Sequence, residues 1–536
     1  MFALALCVAS AAASGTSVLT RFGTVEGTLV GDGGAAVRQF LNIPYALPPT
    51  GALRFADPND WSAPFAGGSF NATRVGVQCP QQGGGGGEDC LVLSVWSPQT
   101  KKRRGAAAAL PVLVFVHGGN FVEGNGDQYN ATLLAAKHGA VVVTLNYRLG
   151  HLGWLQPAPG SANFGLKDQR SALRWVRGNV GVFGGDAARV LLFGESAGAI
   201  SVAGHLLSPS SDGLFATALM ESGFAGAASA AYAAQLADDY GAAAGCARDP
   251  NTTAGGGFAA RLACLRAAPL ATLQAAAAAA VPKASKPFVS RSWGLTVDGS
   301  PAGIPEDPLA AVAAGRLNGG GARLLAGTNT DEGSVFIYPY YPGGMDAPAY
   351  EALISRMLAG SSARAANATT LAAVLARYPA DAARQGADNS ALAARAFGDF
   401  SFTCGTRLLL RAVAAQGGTS HDVRAFAYRF GQKAAADATP AAWGITHGSE
   451  VPFVFDQGSW AGVAGFTAAE EQLATAMGAA WTRFAGSGEP AGSEWPAFGT
   501  ARQQEWLFVA NASAAGPEPY HRSSECDFWD TIYPYV

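Results

Sequence analysis

Arg189 to Gly204 (RVLLFGESAGAISVAG) constrains this chain more than any other stretch: an apolar strand pattern runs into Gly194-Glu195-Ser196-Ala197-Gly198 and then into a helix of small residues. A serine on such a strand-turn-helix elbow is lifted clear of the sheet. Glycines two before and two after it are needed because a sharp turn leaves no room there for side chains. The pentapeptide alone is weak evidence. With 69 glycines in 536 residues, a G-x-S-x-G match arises by chance about half a time per chain. The strand before it and the helix after it turn an idle serine in a glycine-rich turn into a candidate nucleophile.

Pro111 to His117 (PVLVFVH) is a continuous apolar, β-branched run, as expected of a strand buried on both faces, and it ends in Gly118-Gly119-Asn120-Phe121. A strand that stops in consecutive glycines leaves backbone N–H groups unshielded. Beside a nucleophile such a loop supplies an oxyanion hole, completed by the N–H of the residue after the serine, Ala197. Seen alone, the loop would equally be a tight turn with glycine at positive φ. The pairing with the elbow favours the first reading.

A serine hydroxyl is a poor nucleophile at neutral pH, so a base must take its proton and a third group must hold that base in the right tautomer. The chain has seven histidines. His447 stands in the polar loop WGITHGSE (443–450), after the strand-like VRAFAYRF (423–430). His117, His151 and His205 adjoin strand ends or the elbow helix and read as packing or hydrogen-bonded positions, while His138, His421 and His521 have polar, surface-like surroundings. The acid is expected at Glu332, where the apolar run ARLLAGTNTDEGSVF (322–336) gives way to a loop, with Asp331 as its rival. Ser196, Glu332 and His447 then follow the order nucleophile, acid, base of the α/β-hydrolases, which differs from the trypsin-like and subtilisin-like orders. Glu195, just before the serine, would stabilise the imidazolium of His447 or hold a structural water, or else form an ion pair under the elbow.

Further segments extend the pattern along the chain: FLNIPYA (40–46) with LRF (53–55), EDCLVLSVW (88–96), NYRLG (146–150), NFGLKDQ (163–169), FGGD (183–186) and VDG (297–299). With the serine, Glu332 and His447 loops, they make the chain similar to the type-B carboxylesterases, the cholinesterase-like group of α/β-hydrolases. The resemblance implies an α/β-hydrolase fold: a large central, mostly parallel sheet flanked by helices, with cap-like insertions. It implies the triad Ser196, Glu332 and His447, and chooses Glu332 because the family's acid directly precedes the Gly of its DEG motif. Its oxyanion donors correspond to Gly119, Asn120 and Ala197. Many members have a third glycine where this chain has Asn120, a residue that tolerates unusual φ better than other non-glycine types. The resemblance further implies buried Arg148–Asp168 and Arg54–Glu88 salt bridges, and disulfides Cys79–Cys90, Cys246–Cys264 and Cys404–Cys526. Spacing by itself leaves fifteen pairings of those six cysteines open.

No linker-like break separates the motifs, so residues 14–536 are expected to form one catalytic domain. Residues 1–13 form a short apolar stretch ending in small residues and read as a signal peptide, without the usual Lys or Arg at its start. Removing Cys7 with that leader leaves an even number of cysteines, which suits an oxidising compartment and a secreted or secretory-lumen protein. Sequons at Asn71, Asn130, Asn251, Asn367 and Asn511 exceed the roughly two expected at random and mark candidate surface glycosylation sites. Net charge of −3 with 14% charged residues offers no basic patch for nucleic acid. No C-terminal apolar tail suggests a membrane anchor. The expected partner is a small-molecule carboxylic ester, with no metal or cofactor. The sequence does not define an oligomeric state.

Cholinesterases of this family carry a long loop between their first two cysteines with a tryptophan that attracts quaternary ammonium by cation–π contact. Here the loop is PQQGGGGGED (80–89), short and without an aromatic residue. Dedicated choline-ester specificity is therefore not expected. The acyl-pocket region, PFVSRSWGLT (287–296), mixes Phe288, Arg291 and Trp293 and defines no chain length. A carboxylic-ester hydrolase is the leading reading. Its rivals are a catalytically weak cholinesterase-like adhesion protein, which would lack a triad member or add a membrane stalk, and a lipase, which would need an apolar lid.

Overall fold

The computed structural model describes residues 15–31, 36–99, 108–247, 254–281, 293–318, 323–359, 367–381, 387–416, 423–458, 465–492 and 494–532. The leader at 1–13, Asn251, Phe288, Arg291 and His421 lie outside the described residues.

Two sheets form. The small one joins β1 (Ser17–Thr20), β2 (Gly23–Glu26) and β5 (Ser69–Asn71). The large one has 11 strands. In spatial order they are β14 (Gly516–Pro519), β13 (Gln504–Phe508), β12 (Ala425–Phe430), β11 (Arg323–Asn329), β10 (Thr217–Glu221), β9 (Gly185–Glu195), β7 (Leu110–Val116), β8 (Val141–Leu145), β6 (Val92–Pro98), β4 (Val37–Pro44) and β3 (Thr28–Val30). Every neighbour from β8 through β7, β9, β10, β11 and β12 to β13 is parallel, while β6, β4 and β3 at one edge and β14 at the other pair antiparallel.

The central strands read as unbroken apolar runs because both faces of the sheet are covered. Side chains alternate. Val112, Val114 and Val116 of β7, with Val190 and Leu192 of β9, face one core that includes Leu166 and Leu173 of the helix Phe164–Asn179 and Val202 and Leu206 of the helix Ala197–Leu207. Leu113, Phe115, Leu191 and Phe193 face a second core with Leu134 of the helix Thr132–His138 and Met477, Trp481 and Phe484 of the helix Ala468–Ser487. Phe193 sits against Phe115 at 4.8 Å; its truncation to Ala would cost about 3–5 kcal/mol through the cavity left behind.

Long insertions depart from the ends of the middle strands. Between β10 and β11 come the helices Ala230–Ala243, Ala254–Ala267, Leu270–Ala280 and Pro308–Ala313, and between β11 and β12 the helices Ala347–Ala359, Ala368–Arg377, Ser390–Gly398 and Cys404–Gln416. The second group shares a third core with Trp529 of the C-terminal helix Ser523–Ile532. All three disulfides have the expected pairing: Cys79–Cys90, Cys246–Cys264 and Cys404–Cys526. The last fastens the second insertion to that helix across 122 residues of sequence. Asn71, Asn130, Asn367 and Asn511 are all exposed.

Candidate active site

β9 ends at Glu195, and Ser196 turns the chain with φ 57° and ψ −121° into the helix Ala197–Leu207. A non-glycine residue in that region stores roughly 1–3 kcal/mol, and it persists only where its surroundings over-determine it. The surroundings here are the neighbouring strands. Ser196 N–H donates to the carbonyl of Glu221, the last residue of β10, at 2.9 Å. A Cβ on Gly194 would stand 2.6 Å from the carbonyl oxygen of Val116 at the end of β7, and one on Gly198 would stand 2.0 Å from it. Both glycines of the motif are therefore required by the close approach of β7. Ser196 itself stays half-buried within a run of buried residues.

The loop after β7 lies against this elbow, for a Cβ on Gly118 would come within 3.1 Å of Ser196 Cβ. Gly119, Asn120 and Phe121 all take positive φ, at 101°, 53° and 62°. Asn120 thus adopts the backbone conformation that the family's third glycine would adopt freely. Among the described residues, the N–H groups of Gly119, Asn120 and Ala197 donate to no protein acceptor.

His447 reaches the elbow from the loop after β12. Its Nδ1–H donates to Glu332 Oε2 at 2.6 Å, and its Nε2 stands 3.2 Å from Glu195 Oε1. Phe402 and Phe336 close over the ring, with centroids at 4.5 and 5.1 Å. The other oxygen of Glu332, Oε1, accepts from Ser222 Oγ at 2.6 Å and from Asn329 N–H at 2.7 Å. Asp331 turns elsewhere: its Oδ2 accepts from Ile445 N–H at 3.0 Å, and its own N–H donates to Ile445 O at 2.9 Å.

Sequence reasoning missed the buried groups behind this pair. Glu450 Oε1 lies 3.4 Å from Ser222 Oγ, and its Oε2 accepts from Asn329 Nδ2, so Glu450 and Glu332 share two partners. Glu221 is fully buried and accepts from Trp481 Nε1 at 2.6 Å. The signals were local but mute, with Ser222 directly after an apolar strand and Glu450 three residues beyond His447.

Burying so many carboxyls shifts their titration. Burial raises Glu195 to about 7, opposed by the charge of His447 and reinforced by that of Glu332. Burial likewise raises Glu450 to about 8, with the charges of Glu195 and Glu332 adding to it. For His447, burial alone would lower the pKa; the charges of Glu195 and Glu332, the Glu332 hydrogen bond and the charge of Glu450 reverse that and raise it to about 9. The imidazolium is thus strongly favoured by its surroundings.

The described set-aside histidines are held by packing or by hydrogen bonds away from Ser196. His117 is buried, stacks on Tyr147 at 4.5 Å, and is lowered to about 4 by burial. His205 bonds Ser211 Oγ and Gln169 Oε1, His151 is buried, and His521 pairs with Glu505. Both expected salt bridges form. Arg148 grips Asp168 with two nitrogens at 2.7 Å, and Arg54 meets Glu88 at 2.7 and 2.6 Å. Trp293 is turned into the core against Tyr240 and His151.

A serine on a strained elbow, a histidine held by a carboxylate and a glycine loop beside both agree with what sequence comparison finds. The model of the carboxylesterase family matches residues 14–529. The chain belongs to the carboxylesterase family. A mouse (Mus musculus) cholinesterase is 30% identical over 563 aligned residues, covering 97% of this chain and 87% of the mouse protein. The large sheet of this carboxylesterase-family chain, with its helices on both faces, is the α/β-hydrolase fold of that family. Family membership supports ester hydrolysis on a small-molecule ester, and the disulfides and the cholinesterase relative fit a secreted protein. Among the described residues, no helix is long and apolar enough to cross a membrane.

Proposed function

We propose that this protein is a secreted serine carboxylic-ester hydrolase, with residues 14–536 as its catalytic domain after loss of a leader at 1–13. Ser196 is the nucleophile, His447 the base and Glu332 the acid. The observation that carries this is the orientation of His447: with Nδ1 bound to Glu332, its Nε2 is turned toward the serine elbow, 3.2 Å from the residue next to Ser196.

In the first half-reaction Ser196 Oγ attacks the ester carbonyl carbon while His447 Nε2 takes the hydroxyl proton. The carbonyl oxygen, now negative, is received by the N–H groups of Gly119, Asn120 and Ala197. Collapse of the tetrahedral species breaks the bond to the alcohol oxygen, which leaves with the proton from His447. Water then repeats the sequence on the acyl-enzyme, giving the carboxylic acid and restoring Ser196. Glu332 keeps the imidazole in the required tautomer and, with Glu195, stabilises the imidazolium between steps.

Turnover of p-nitrophenyl esters from acetate to palmitate by the purified protein tests the reading and ranks chain lengths. Ser196→Ala is expected to stay folded and retain less than about a thousandth of the activity. An organophosphate should label Ser196 alone; a label on another residue would overturn the assignment.

A further inference from the structure

The glycine-rich loop between Cys79 and Cys90 offers no aromatic wall, yet it touches the site through one side chain. Gln81 binds both backbone groups of Gly124: its Oε1 accepts from Gly124 N–H at 2.7 Å, and its Nε2 donates to Gly124 O at 3.2 Å and to Cys79 O at 2.7 Å. One residue on, Gln82 N–H donates to Val122 O at 2.9 Å. Residues 81 and 82 thus hold the end of the loop that begins at Gly118, and both start from a buried cysteine whose partner, Cys90, is buried as well.

What that loop fixes is direction. In a planar trans peptide the C=O and the next N–H point opposite ways, so anchoring one aims the other. Gly119 O accepts from Val122 N–H at 3.0 Å and from Glu123 N–H at 3.1 Å, which aims the Asn120 N–H away from the turn. Gly118 O lies 2.8 Å from His117 Nδ1, which aims the Gly119 N–H in the same manner. Gly124 packs onto that second anchor, for a Cβ there would stand 2.5 Å from His117 Nδ1 and 2.8 Å from Gly118 O. Its φ of 105° is one that glycine adopts freely.

We propose that Gln81 is a positioning residue for the oxyanion hole: by gripping Gly124 it holds the 117–124 loop closed and so keeps the Gly119 and Asn120 N–H groups aimed at the developing oxyanion. This rests on the reading of those two groups as oxyanion donors. Gln81 touches neither substrate nor Ser196; it acts through the loop. Misaimed donors lose contact with the transition state while leaving ground-state binding nearly intact.

The test compares Gln81→Ala and Gln81→Glu with wild type on p-nitrophenyl butyrate, with active sites counted by organophosphate titration. Gln81→Ala should lower kcat by about 10- to 100-fold, less than outright loss of a donor, with KM within about twofold. The inhibition constant of a trifluoromethyl ketone, which forms a tetrahedral oxyanion adduct, should rise by the same factor as kcat/KM falls. Gln81→Glu keeps an acceptor for the Gly124 N–H and should fall between the two. Unchanged kcat in either counted variant, or a loss that leaves ketone affinity untouched, would overturn the proposal. If Ser196→Ala remained active, the hydrolase assignment itself would fall; if Ser196→Ala is dead and both Gln81 variants are normal, only the role of Gln81 is lost.

Discussion

Asp331 exchanges two hydrogen bonds with the backbone of Ile445, so it ties the loop bearing His447 to the loop bearing Glu332, while the proposed acid holds the imidazole itself. The two neighbouring carboxylates face different partners and are expected to separate in function. Glu332→Gln should lower kcat by about 10³-fold or more through loss of the right imidazole tautomer and of the charge beside it. Asp331→Asn keeps an oxygen for Ile445 N–H and should stay within about threefold of wild type. Steady-state kinetics of the two variants decide the matter, and the reverse ranking would assign the acid to Asp331.

The charge of Glu195 near His447 Nε2 raises the imidazole pKa, and His447, as the proposed base, must be neutral to take the serine proton. Activity must therefore rise with pH as His447 loses its proton, and the acid limb of kcat/KM lies above the ordinary histidine value of about 6.5. Removing a negative charge beside an imidazolium makes that proton easier to lose. Glu195→Gln should move the acid limb to lower pH, so that at pH 8, where the Glu195 carboxylate of wild type is charged, the variant keeps a larger fraction of its own maximal rate. A shift of the limb upward, or none, would count against this arrangement of charges.

The Arg148–Asp168 pair is buried, with a further bond from Arg148 Nη1 to Ala56 O at 2.8 Å. Taking away one partner leaves a buried, unpaired charge, and Asp168→Asn or Arg148→Met should cost about 3–5 kcal/mol in urea unfolding. The exposed Arg316–Glu306 pair serves as the control, and its removal should leave the urea midpoint nearly unchanged.

With only glycines and polar groups exposed between Cys79 and Cys90, a quaternary ammonium finds no aromatic face on that wall. The aromatic rings at the site, Phe336 and Phe402, are packed on His447. A neutral ester such as butyl acetate should be hydrolysed with kcat/KM at least comparable to that of its choline counterpart. A preference of a hundredfold for the cation, about 2.7 kcal/mol, would mean that another surface recognises it.

The elbow was legible because its demands are local: Gly194 and Gly198 are dictated by one carbonyl of β7, and that demand is written as two glycines around a serine. The central strands were legible for a similar reason, since burial on both faces leaves an apolar run. The choice of Glu332 over Asp331, and the cysteine pairing, came from family resemblance, since adjacent carboxylates look alike until the direction of each side chain is known. Glu450, Ser222 and Asn329 stayed hidden because they converge only in the folded sheet. Gln81 was hidden in plain view. It sits in a segment whose composition advertised only glycine, and its role depends on a carbonyl and an N–H 43 residues away.

Ser196, Glu332 and His447 each stand beyond the C-terminal end of a different parallel strand, β9, β11 and β12. Parallel neighbours cannot be joined by a tight hairpin, so each pairing closes a long stretch of chain before it is rewarded, which makes such sheets slow to form. Helices that form from local contacts do nothing to bring the three residues together. On dilution from denaturant, hydrolysis should therefore return after the helical signal is complete. Its recovery times the closing of the central strands.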